Sequence, residues 1–358
     1  MILAATGYWC VTAFDSGATA QQLTSSSFLG WLQPLTGDPE TAARLGRGSF
    51  AIPAALLLFA PRLALLFAGT IAGLLLAAGP VRTGGTVLAR ERTFFGVHQV
   101  TSVQNGEWHV LTHGTTTHGV QAVHGKVHSL PTAYYHPSGP IGDVVFTLVP
   151  DGRFHDVAVV GLGAGALAAY AGAGTRMDFF EIDEAVVRIA ENPSYFTYLA
   201  DARARAGVTV RTIPVDGRLG LRAMPSASYD LIVVDAFSSD AIPTHLITRE
   251  AVAMYESHLK PRGALAFHVS SRFFELPPVL ARIAADRGLV GYVRHDEDVP
   301  PERAAEGMRA SVWVVLARDE RDFGQIARSG PRWVRLVSNP GEPLWTDDYT
   351  NVLGALQR

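Results

Sequence analysis

The chain has 358 residues, a length that suits about two domains of roughly 100–200 residues each. Hydrophobic residues make up 48% and charged residues 18%, which excludes a disordered or fibrous chain. A net charge of −3 leaves no basic footprint for nucleic acid, and the single cysteine, Cys10, excludes an internal disulfide and a cysteine-built zinc site.

The apolar excess is concentrated in the first stretch, residues 1–88. Residues 51–80 read AIPAALLLFAPRLALLFAGTIAGLLLAAGP, with Arg62 as their only charge. A bilayer core needs a helix of about 20 residues, so a membrane helix, or a helix pair turning at Pro61-Arg62, is expected there. A buried core helix is the alternative. Residues 1–14 are apolar but short for a span, and they lack the basic start of a signal peptide. Arg82, Arg90 and Arg92 follow, and the positive-inside bias places the downstream chain in the cytoplasm. The expected location is therefore the membrane, with the rest of the chain on its cytoplasmic side.

Residues 89–150 hold short alternating runs such as VHQVTSV and EWHVLTHG, the pattern of a small antiparallel β-domain. From 151 to 358 the pattern becomes strand then helix, repeated. Strands are expected at 157–160, 178–182, 208–213, 230–234 and 263–269, with helices at 184–191, 248–259 and 275–287 between them. Alternating units of this kind predict an α/β fold with a parallel, Rossmann-like sheet. Runs at 289–294 and 310–317 complete it, as an edge hairpin.

The strongest local signal is VAVVGLGAGALAAYAG at 157–172. A strand ends at Gly161, Gly163 and Gly165 follow, and a helix of small residues is expected next. Such a turn lets a ligand approach the backbone closely. The next strand ends in Glu181-Ile182-Asp183, and Glu181 lies at the distance where an acid can accept from both hydroxyls of a ribose. NAD and S-adenosyl ligands both fit up to this point. Asp216-Gly217 after the third strand and Asp235 after the fourth separate them. An acid after the third strand can accept from an adenine amino group, and one after the fourth faces the reacting end. That run of strand-end acids suits the class I S-adenosylmethionine-dependent fold better than a dehydrogenase.

The stretch VVGLGAG, FFEIDEAVV, VDG and YDLIVVDAFSSDAIP resembles the spermidine synthase (polyamine aminopropyltransferase) family. Residues 91–351 are most similar to its membrane-fused bacterial branch, through ERTFFGVHQV, HGTTTHGVQ, PTAYYHPSGPIG, FHVSSRFFELPPVLA and WTDDYTNVL. The resemblance implies the end of such a fusion, either a fragment or a short natural variant. It implies a small N-terminal β-domain before a Rossmann-like methyltransferase domain. It also implies aminopropyl transfer from decarboxylated S-adenosylmethionine to a small amine such as putrescine, with no metal, and a possible homodimer. Carried over by position, Gly161, Gly163 and Gly165 line the sulfonium ligand. Glu181, with Asp183 beside it, holds the ribose, and Asp216 and Gly217 meet the adenine. Tyr135 and His136 line the amine pocket, together with His118 and Gln121. Asp240 accepts the amine proton, with Asp235 beside it. A sulfonium is already an activated leaving group. The chemistry needed from the protein is therefore orientation of the amine and removal of its proton.

The chain departs from the family pattern in places. The family's glycine loop reads Gly-Gly-Gly-Asp-Gly-Gly, and Ala164 stands where that aspartate would be. In the family the aspartate helps bind the cationic aminopropyl end, and a carboxylate there repels the carboxylate of intact S-adenosylmethionine. Its absence opens a second expectation: methyl transfer, or another alkylation or cyclisation, with the intact donor. Gly96 stands where a pocket glutamine is expected. Asp347 and Asp348 either restore negative charge near the pocket or cap a helix. His113, His118, His124 and His128 lack a metal-ligand spacing, and His113, His118 and His136 read better as pocket lining. An NAD-dependent oxidoreductase and a non-catalytic polyamine or nucleoside sensor are the remaining readings.

Overall fold

The computed structural model describes residues 85–114, 116–147, 155–237, 242–271, 273–328 and 330–356. The expected membrane helices at 51–80 lie outside the described residues, and so does Asp240. Among the described residues no helix is long and apolar enough to cross a membrane.

The alternating Val, Thr and His runs form a four-stranded antiparallel sheet in sequence order: β1 (Gly85–Arg92), β2 (Val97–Val103), β3 (Trp108–His113) and β4 (Thr116–Ala122). Val100 of β2 sits directly opposite Leu111 of β3, and both are fully buried. They meet Ala164, Ile189 and Phe196 in a small apolar cluster. This cluster seals the small sheet onto the rest of the described chain. Helix α1 (Pro140–Thr147) follows.

The larger sheet has eight strands. Its parallel part contains β5 (Asp156–Val160), β6 (Arg176–Glu181), β7 (Thr209–Pro214), β8 (Tyr229–Val234) and β9 (Leu259–His268). Its antiparallel part contains β10 (Val290–Asp296), β11 (Ser311–Ala317) and β12 (Val334–Arg335). The strand order is β12-β10-β11-β9-β8-β5-β6-β7. Side chains alternate between the two faces of a strand, so β5 feeds two cores at once. Val157 and Val159 join one cluster, and Ala158 and Val160 join the other. Helices α2 (Glu184–Glu191), α3 (Tyr198–Arg203), α4 (Gly217–Arg222), α5 (Arg249–His258) and α6 (Pro277–Arg287) contribute the facing apolar residues.

Two expectations need correction. The helix expected after the glycine loop is a single 3-10 turn, Ala166–Tyr170, because the chain leaves helical geometry at Ala171, just before Gly172. The expected edge hairpin is not wholly at the edge. β11 inserts between β9 and β10, and β12 covers the far side.

Strand β5 lies between β6 and β8, so the chain order reverses there. In open α/β sheets such a reversal opens a crevice beyond the carboxyl ends of the strands. Phe267 of β9 is fully buried in the second core. Phe267→Ala should cost about 3–5 kcal/mol of stability, measured by urea denaturation. An unmoved midpoint would contradict this placement of the core.

Candidate active site

A cavity of about 730 Å³ occupies that crevice, with the small sheet over it. Its floor is the glycine loop. Gly161 has φ +99°, and a Cβ there would stand 2.4 Å from the Asp235 carbonyl oxygen. Gly163 has φ +54°, and its Cβ would stand 2.4 Å from the His118 carbonyl oxygen. The loop thus passes between the end of β8 and the backbone of β4 with no room for side chains at these two positions.

Three strand-end acids surround the loop. Glu181 ends β6, and its carboxylate accepts from the Leu162 amide (3.0 Å) and the Asp183 amide (2.9 Å). Burial pushes its pKa up, helped by the negative Asp183, and the backbone amides of Asp183, Leu162 and Ile182 pull it back. A carboxylate has about four acceptor sites, so these amides do not use all of its capacity. Asp216 caps α4 by accepting from the Leu219 amide at 2.9 Å, and its other oxygen lies 3.3 Å from His245 Nε2. Asp235 follows β8 with a side chain only 7% exposed. Tyr135 donates its hydroxyl to Asp235 Oδ2 at 2.5 Å, and His268 Nδ1 lies 2.7 Å from Oδ1. Burial, then the negative Asp235, raise the Tyr135 pKa well above its usual value, so the phenol keeps its proton.

The cavity lining includes Gly161, Gly163, Glu181, Asp183, Asp216, Gly217, Asp235, Tyr135 and His118. Glu297 also contributes negative charge and Arg309 positive charge. Among the described residues of the lining the acids outnumber the arginines, so their field favours a cation.

The other expected residues stand elsewhere. Gly165 packs behind the loop against Leu199. Gln121 is 2% exposed; its amide is used by Thr197 and by the His128 carbonyl, so it does not reach the pocket. His136 is buried away from the cavity, 3.3 Å from Glu306. Asp183 lines the cavity but is already engaged. It accepts from the Ala185 amide as the cap of α2, from the Thr93 hydroxyl at 2.6 Å, and lies 2.8 Å from His98 Nε2. Burial opposes its charge, but Thr93, Ala185 and His98 together hold its pKa below the usual range. Asp183 is a join between the small sheet and α2. Asp347 pairs with Arg218 and accepts from Thr248, so it clasps the C-terminal segment to α4 and α5 rather than charging the pocket.

Two departures from the family pattern acquire a physical reading. Ala164 is 1% exposed and faces the apolar cluster of Val100 and Leu111 rather than the cavity. A Cβ on Gly119 of β4 would come within 2.3 Å of the Ala164 methyl, so Gly119 leaves room for the Ala164 side chain. At Gly96, any Cβ would stand 2.1 Å from His113 Nε2. The His113 ring fills the place of a side chain at 96 and bonds the Phe95 carbonyl at 2.9 Å. Burial, then His98, lower the His113 pKa, which favours the neutral ring.

His268 and Ser270 were not anticipated. His268 ends β9 beside Asp235, stacks on Trp313 with ring centroids 4.7 Å apart, and has Nε2 2.8 Å from Ser270 Oγ. The strand-end rule that singled out Asp235 would have found His268 if applied to the next strand.

Asp183→Asn should destabilise the protein at pH 7. A depressed carboxyl pKa stabilises above the unfolded value and loses that contribution as pH falls through the folded one. The gap between variant and wild type should therefore close as pH drops below about 3.9. Denaturant titrations at several pH values measure it, and a pH-independent gap would contradict the charge role.

No protein-family model matches the chain. A polyamine aminopropyltransferase from Vibrio vulnificus (strain CMCP6) is 30% identical over 120 residues, covering 32% of this chain and 38% of that protein. The match thus spans well under half of the curated relative. A probable spermidine synthase from Corynebacterium glutamicum ATCC 13032 superposes with a TM-score of 0.50 at 13% identity, over 74% of this chain and 97% of that one. The spermidine synthase from Thermotoga maritima gives a TM-score of 0.44 at 14% identity, over 76% and 84%. In its fold and in this stretch of sequence, the chain is spermidine synthase-like.

Proposed function

We propose that the chain is a transferase that moves an aminopropyl group from decarboxylated S-adenosylmethionine to a small amine. The observation that carries this reading is the ring of strand-end acids around the glycine loop. Glu181, Asp216 and Asp235 all line the cavity, and in this reading Glu181 accepts from a ribose diol, Asp216 from an adenine amino group, and Asp235 lies toward the reacting end. A sulfonium and an ammonium are both cations, and both suit a cavity walled by acids. The polyamine aminopropyltransferase from Vibrio vulnificus supports the reading through its name and its partial match.

In the reaction, the acceptor nitrogen attacks the propyl carbon bonded to the donor's sulfonium sulfur. The C–N bond forms as the C–S bond breaks, and methylthioadenosine leaves with the sulfur electron pair. One proton must leave the acceptor. Tyr135 holds Asp235 in place from one side and His268 from the other, which fixes the carboxylate for orienting the amine. The family resemblance suggests Asp240, five positions beyond Asp235, as one group that could take that proton. We further propose attachment to a membrane through residues 51–80, with the site on the cytoplasmic side, supported by the hydrophobicity of that stretch and the arginines that follow it.

Methyl transfer from intact S-adenosylmethionine is the second reading. Arg309 in the cavity lining favours it, because an arginine can pair with the donor's carboxylate. Calorimetric titration of both donors separates the two. Tighter binding of the decarboxylated donor, with methylthioadenosine as product, is the expected result. Tighter binding of the intact donor, with S-adenosylhomocysteine as product, would replace the first reading by the second.

Glu181→Gln should weaken binding of either donor about tenfold or more, the scale of a lost charge-assisted hydrogen bond. Calorimetry on a variant with unchanged thermal stability checks it. Unchanged affinity would remove Glu181 from the ribose site.

A further inference from the structure

We propose that Ser270 and His268 form the path by which the acceptor's proton is removed, with Asp235 holding the resulting charge. The proposal rests on the reading above and names a proton acceptor among the described residues.

The hydrogen bonds assign the protons. A carboxylate only accepts, so His268 Nδ1 carries the hydrogen that meets Asp235 Oδ1 at 2.7 Å. In the neutral ring Nε2 is then the acceptor, and Ser270 Oγ, 2.8 Å away, donates to it. Ser270 Oγ in turn accepts from the Val312 amide at 2.8 Å, which fixes the serine rotamer. Every hydrogen along the chain Val312, Ser270, His268, Asp235 points the same way. The same linkage of a hydroxyl, an imidazole and a buried carboxylate makes a base out of a histidine in other enzymes.

The surroundings fit that role. Trp313 stacks on one face of the ring, and Phe237 and Tyr134 lie 4.9 and 5.0 Å from its centroid. The titratable groups facing His268 are Asp235, Tyr134 and, through Asp235, Tyr135. His268 is 3% exposed, whereas Ser270 is partly exposed and both line the cavity. A bound acceptor therefore reaches the imidazole through the serine. The acceptor's proton passes to Ser270 Oγ as the serine's own hydrogen moves to His268 Nε2. The imidazolium then pairs with the Asp235 carboxylate. The reverse transfers return the proton to water after product leaves. No other reactant is consumed.

The test uses the full chain with decarboxylated S-adenosylmethionine and putrescine, following methylthioadenosine from pH 6 to 10. Ser270→Ala and His268→Gln should each lower kcat near pH 7 by about 10²–10⁴-fold, with KM changed only a few-fold. The loss should shrink as pH approaches about 10, where free amine becomes available without a base. Ser270→Thr, which keeps the hydroxyl, should recover most of the rate. A loss equal at every pH would reduce both residues to structural roles and overturn the proposal. It would also fall if Asp240→Asn alone showed the pH-dependent loss. If the wild type forms no methylthioadenosine, the reading of the reaction fails, and nitrogen NMR of the imidazole decides the proton path separately. A neutral His268 with hydrogen on Nδ1, whose Nε2 signal moves in Ser270→Ala, supports it. Hydrogen on Nε2 of the neutral ring overturns it.

Discussion

Withdrawing a carboxylate from water is costly unless hydrogen bonds replace its hydration, and Asp235 has undergone that withdrawal at the point where the strand order reverses. Two donors compensate it, the Tyr135 hydroxyl and the His268 ring. They come from distant parts of the chain, one from the segment after the small sheet and one from the end of β9. The single carboxylate therefore locks three segments into one geometry. It also explains why His268 must stay stacked on Trp313: a tilted ring would leave the buried charge half-paired. The Asp235 carbonyl meets the glycine loop as well, so its backbone helps set the cavity floor while its side chain sets one wall.

The small sheet is held over the cavity by a second group of contacts. Asp183 joins Thr93 and His98 to the start of α2, and Val100 and Leu111 press on Ala164. These contacts account for two sequence features that look like losses from the family pattern. Ala164 packs in the apolar cluster beneath β4, where Gly119 lies against its methyl. Gly96 is bare because the His113 ring occupies its space. The charge of the cavity then comes from strand ends rather than from the loop itself. Glu181 illustrates the balance, since part of its capacity holds the loop and part remains for a ligand.

Much of the α/β core was legible because it rests on local rules. Apolar runs marked β5, β6, β7 and β8 within a residue or two, and β9 began somewhat earlier than expected. The acid at the end of a strand is a pattern that sequence order carries, so Glu181, Asp216 and Asp235 could be singled out in advance. Side-chain direction in turns and at sheet edges follows a different logic. His136 adjoins Tyr135 in sequence, yet the turn sends one ring to Asp235 and the other to Glu306. Gln121 lies in a stretch that matches the family, yet its amide is consumed by Thr197 and His128. Asp347 found Arg218, a partner 129 positions away.

The sequence by itself determined which residues make strands, where the chain turns on glycine, and that acids terminate successive strands. Those features depend on backbone sterics and on the alternation of apolar side chains, both of which act over a few neighbouring residues. Only the tertiary structure decided which acids face the cavity and which are spent on caps and joins. It alone brought His268, Ser270 and Val312 into line behind Asp235, because β9 and β11 become neighbours only when the sheet assembles. Hydrogen bonds between segments far apart in sequence are set by that assembly, and no local pattern encodes them.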